Sequence, residues 1–98
     1  MSFEEFLRST AGGTPPAGLG QPLQALWHDA RDEWHAAHAL AQAAGDADGA
    51  WVHAYLHRKE GDEMNAGYWY RQAGRKPAGG DLRAEWEAVA RALLARGG

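Results

Sequence analysis

The chain has no cysteine and no isoleucine, and only two valines (Val52, Val89) and two threonines (Thr10, Thr14) among its 98 residues. Without cysteine there is no disulfide framework, no thiolate metal site and no cysteine nucleophile. With β-branched residues nearly missing, the composition rules out a β-rich fold. No run approaches the roughly 18 apolar residues that a membrane-spanning helix needs. The first ten residues carry Glu4 and Glu5 and lack a basic start followed by an apolar stretch, so they do not read as a signal peptide. Excess positive charge is absent too. A net charge of −3 and a pI near 5.9 argue against a nucleic-acid binder. The expectation is a cytoplasmic protein with no nucleic-acid or membrane partner.

What is present is alanine, leucine and aromatic side chains. Alanine accounts for 21 residues, leucine for nine, and tryptophan, tyrosine and phenylalanine together for ten. Alanine and leucine favour helices, so the expected fold class is all-α. The length suits a single domain with one modest core. Residues 1–20 read as an N-terminal helix followed by a Gly/Pro-rich loop, and residues 21–98 as the helical-hairpin domain proper.

Local signals divide the chain further. Phe3, Phe6 and Leu7 recur with helical spacing after Ser2, a capping residue. Ala11–Gly20 holds four glycines and two prolines, a loop from which the first helix either packs back or swings free. A second helix runs from Pro22 to about Ala30. Asp32 and Glu33 are expected to be the cap and first turn of a third, residues 33–44, that Gly45 closes. Asp48 is expected to open a fourth through Glu60, with Gly61 at its C-terminal turn. Asp62 then caps a fifth to about Gly74. After the connector Arg75–Gly80, Asp81 caps a last helix whose Leu82, Trp86, Val89 and Leu93 form one stripe.

A shift of 30 residues superposes Leu26 on Leu56, Asp32 on Asp62, Glu33 on Glu63, Ala36 on Ala66, Gln42 on Gln72 and Ala43 on Ala73. The repeat unit implied is helix, tight turn, helix, with Ala36 and Ala66 allowing the paired helices to approach closely. The expected architecture is two antiparallel helical hairpins plus N- and C-terminal helices, a small α-solenoid. The alternative is one long Ala-rich helix from Pro22 to Ala44.

In the second pair, Gly61, Ala66, Tyr70 and Ala73 lie at the spacing of a turn glycine, a close-packing alanine, an aromatic and a second alanine. This resembles the second half of a tetratricopeptide-type repeat. The resemblance implies peptide or protein binding along a concave side and no enzyme activity. The stretch Trp51–Arg75, WVHAYLHRKEGDEMNAGYWYRQAGR, is similar to a segment of a small helical protein family of bacteria and fungi. That likeness covers about a quarter of the chain and implies a compact helical domain. It carries no activity over.

Three constellations are candidates for function. His53, His57 and Glu60 stand at i, i+4 and i+7 on the fourth helix, a spacing at which two imidazoles and a carboxylate bind a divalent metal; His35 and His38 are placed to converge on them. Met64 and Tyr68 share a second apolar face of the fifth helix, flanked by Asn65, Arg71 and Arg75. Such a strip is either core, a homodimer seam or a binding surface. His57, Arg58, Lys59, Arg71, Arg75 and Lys76 form the local basic concentration, suited to a phosphate or carboxylate ligand.

The sequence therefore points to a non-enzymatic binding module with no catalytic residues and no required cofactor. The expected ligand-binding residues are His53, His57, Glu60, Asn65, Tyr68 and Arg71, and the expected partner is a protein, a peptide or a small anion. The second reading is a divalent-metal protein, possibly hydrolytic, using His53, His57 and Glu60.

Overall fold

The computed structural model describes residues 1–96. It is all-helical, with no strand among the described residues: α1 (Phe3–Ser9), α2 (Gln21–Ala30), α3 (Trp34–Ala44), α4 (Ala47–Lys59), α5 (Glu63–Ala73) and α6 (Leu82–Ala95).

Most helix ends obey the local signals. Ser2 and Glu5 form a reciprocal capping box at α1. Asp62 and Asp81 accept from the backbone of Asn65 and Arg83 to open α5 and α6. Gly45 and Gly74 close α3 and α5 in the left-handed conformation, at φ 67° and 71°. Two expected caps are placed differently. α4 is opened by Asp46, whose Oδ1 accepts from Gly49 at 2.7 Å, while Asp48 sits inside the first turn and pairs with Arg96. Asp32 does not cap α3 but takes φ 60°, making the sharp reversal that breaks Pro22–Ala44 into two helices. The Glu33 carboxylate accepts from His28 Nδ1 at 2.8 Å instead of capping.

The internal offset is 29 residues. α3 and α5 correspond end for end at that shift, and so do the C-termini of α2 and α4. It aligns the positive-φ residues Asp32 and Gly61, the left-handed closures Gly45 and Gly74, and His28 with His57. It also aligns Ala37 with Ala66, and both are buried, whereas Ala36 is exposed. The 30-residue identities, two of the six between alanines, miss this register by one.

α4 is the central element. It packs against α2, α3, α5 and α6, and every residue from Gly49 to His57 is buried. This is why its two apparent faces, the Trp51–Val52–Tyr55–Leu56 arc and the histidine stripe, are both interior. α2 contributes Leu23, Leu26 and Trp27 to the core, and α6 contributes Trp86, Val89 and Leu93. The N-terminal helix packs back: Phe6 is fully buried and stacks on Trp86 at 5.8 Å, with Phe3 edge-on to the same ring. Arg31 Nη1 ties the loop down by donating to the carbonyls of Thr10 and Gly12.

Candidate functional site

The segment WVHAYLHRKEGD mostly holds the domain together. Arg58 donates to Glu85 at 2.9 Å and to the Gly80 carbonyl, and the Tyr70 hydroxyl donates to the other Glu85 oxygen. Lys59 pairs with buried Asp29 at 2.9 Å. Both acids are almost fully buried, and such charges persist only when paired and hydrogen-bonded. Burial, followed by the neighbouring acid, pushes the Tyr55 and Tyr70 hydroxyls well above the ordinary tyrosine range. Arg58 and Lys59 are thus taken up structurally and leave the basic concentration to Arg71, Arg75 and Lys76.

The histidines behave differently. His38 from α3 meets His53 and His57 from α4, and one ring nitrogen of each lies within 4.8 Å of the others. His38 Nε2 and His53 Nε2 are 2.9 Å apart. The His53 and His57 rings stack one turn apart at 4.9 Å, and His38 sets its edge against both. Two tryptophans flank the cluster. Trp69 from α5 stacks on His53 at 4.0 Å, and Trp34 stacks on His38 at 4.9 Å. Trp34 Nε1 also donates to the Leu56 carbonyl at 3.1 Å, which pins the start of α3 to the end of α4.

Close helix approach makes this meeting possible. A Cβ on Gly49 would lie 2.7 Å from the Ala44 Cβ and 2.8 Å from the Ala41 carbonyl oxygen. Only glycine allows α3 and α4 to come this near, and the approach carries His38 onto the α4 stripe.

The environment favours the neutral form of His38 and His53. Burial, reinforced by His38 and His57, pulls His53 from 6.5 down to about 4. Burial and then His57 also lower His38, with Glu60 opposing. Neutral imidazoles present the lone pairs a metal ion needs. The carboxylate of Glu60 accepts from His57 Nδ1 at 2.9 Å, leaving Nε2 of that ring available. Buried His53 Nδ1 has no partner among the described residues, an unusual debt for an interior polar atom. A cleft of about 280 Å³ lined by Ala41, Gln42, Asp46, Trp69 and Gln72 reaches His53 from the surface.

The residues expected from sequence divide into two groups. His53 and His57 sit in the cluster, and Glu60 supports it through His57 rather than joining His53. Glu60 and Asp62 form a second, more exposed donor set with His57. Asn65, Tyr68 and Arg71 lie on the exposed side of α5: Asn65 bonds Asp62 at 2.6 Å and Tyr68 sets its ring edge to Trp69. His35 is exposed and outside both sets. Trp34 and Trp69 are not among the site residues expected from sequence; Trp34 stands i, i+4 from His38, a spacing the sequence does show, whereas Trp69 meets His53 across two helices and leaves no single-helix signature.

No protein-family model matches the chain, and no curated protein or solved structure matches it.

Proposed function

We propose that this protein is a small non-enzymatic binding module whose ligand is a divalent transition metal held by His38, His53 and His57. The observation that carries the reading is the convergence of three imidazole nitrogens from two helices, two of them on rings held neutral by burial. Three nitrogen donors without thiolate suit zinc, copper or nickel better than calcium or magnesium. Glu60 on His57 supplies the outer carboxylate that orients ligating histidines.

The geometry is near what coordination requires. Two nitrogens bound to one tetrahedral zinc at about 2.0–2.1 Å stand about 3.3 Å apart, so the His38–His53 pair opens by only a few tenths of an ångström. Three protein ligands leave a fourth position for water or a small ligand.

Titration calorimetry of chelator-stripped protein with zinc and with copper tests this. One ion per chain is expected, with binding lost in both His38→Ala and His53→Ala. Glu60→Gln is expected to weaken binding about 10- to 100-fold. A stripped protein that takes up neither ion, or variants that bind like the parent, would refute it.

A further inference from the structure

We propose a second, independent ligand site: the cleft walled by α5, α6 and the 74–80 connector binds a small organic carboxylate with an apolar body. The cleft encloses about 540 Å³, within the range of small-molecule pockets. Its lining is mixed: Trp51 and Val89 are buried, Ala84 and Ala88 are exposed beside them, and the exposed cations Arg75 and Lys76 complete the wall.

The charges are arranged for an anion. Glu85 also lines the cleft, but its two oxygens are engaged by Arg58 and by the Tyr70 hydroxyl. Arg75 and Lys76 have no carboxylate within ion-pair distance among the described residues, as is also true of Arg8, Arg71 and Arg83, whereas Arg58, Lys59, Arg91 and Arg96 are paired. In a chain of net charge −3, two adjacent cations without an ion-pair partner, beside a cleft that is partly apolar, are complementary to an amphipathic anion.

Arg75 is also held in place. Its backbone N–H donates to the Tyr70 carbonyl at 2.9 Å, at the left-handed Gly74 that ends α5. Its guanidinium lies 3.4 Å from the centre of the Trp51 ring, so stacking fixes the plane of the fork. No oxygen among the described residues accepts a hydrogen bond from that side chain. A planar guanidinium anchored on an aromatic face, with its N–H edges free, suits bidentate recognition of a carboxylate. The apolar part of such a ligand would then cover Ala84, Ala88 and Val89.

The probe is 2-naphthoate, followed by amide and indole NMR shifts of the chelator-treated protein, so the histidine cluster plays no part. Shifts are expected at the Trp51 indole and in residues 74–79 and 84–89. Arg75→Gln is expected to weaken binding at least tenfold, and so is replacing the probe by 2-naphthalenemethanol, which keeps the rings and removes the charge. Arg75 is exposed, so the variant is expected to fold; if it does not, Lys76→Gln is read in its place, with the same direction expected. The proposal is overturned by absent or scattered shifts up to millimolar probe, by equal binding of the alcohol, or by unchanged affinity in the folded variant.

Discussion

Acid should unfold this protein through His53, in a window its surroundings define. In the unfolded chain the imidazole titrates near 6.5; in the native state burial among Trp69, His38 and His57 holds it down to about 4. The unfolded state therefore takes up the proton first. The contribution is fully present above pH 6.5 and is lost as the pH falls through 6.5 towards 4. A difference of that size corresponds to about 3 kcal/mol. About 2.5 kcal/mol of this is lost by pH 4.5, and for a domain of this length each kcal/mol moves the midpoint by roughly 4–8 °C, so the melting temperature is expected to fall by about 10–20 °C. His38, lowered for the same reason, acts in the same direction. The assay is thermal unfolding by circular dichroism in the presence of chelator, at several pH values between about 7.5 and 4.5. The control is His53→Phe, which retains a ring against Trp69 and removes the titration. Its midpoint is expected to lose less than half as much over the same interval. A parent protein whose midpoint is flat across the window, or a phenylalanine variant that declines in parallel, would refute the reasoning.

Other outcomes follow from the packing. Gly49→Ala gains about 1 kcal/mol of helix propensity but drives a Cβ into backbone and Ala44, so a net loss of about 1–2 kcal/mol is expected in urea unfolding. Phe6→Ala removes a fully buried ring from Trp86, and a loss of about 3–5 kcal/mol in the same assay would show that the N-terminal helix is integral to the core. Glu85→Ala strands Arg58 and the Tyr70 hydroxyl, with an expected loss of about 3 kcal/mol; a neutral effect would mean that the pair is freely solvated. Zinc at about 100 times its dissociation constant is expected to add about 2.7 kcal/mol to the parent and nothing to His38→Ala, read as a midpoint shift.

Much of the fold was legible because its causes are local. The scarcity of β-branched residues excluded sheets. Ser2, Asp62 and Asp81 marked helix starts through side chains that reach at most three residues along the chain, and Gly45 and Gly61 marked helix closures, both taking positive φ. Asp32 reads as a cap because an aspartate before a helix usually is one; instead it takes φ 60° at the turn between α2 and α3. The 29-residue register was hidden in the same way. Identities between alanines do not reveal which alanine faces inward, and the burial of Ala37 and exposure of Ala36 do.

By itself the sequence determined an all-helical chain, most of the helix ends, and the pairing of His53 with His57 one turn apart, but left open whether residues 22–44 are one helix or two. Only the tertiary structure decided that His38 is the third member, that Glu60 acts on His57 rather than beside His53, and that Arg58 and Lys59 are spent on buried acids while Arg75 is not. The physical reason is that helical periodicity fixes angles about one axis and nothing between axes. Which side chains meet across two helices depends on how near those helices come, and here a hydrogen in place of a methyl group at Gly49 sets that distance.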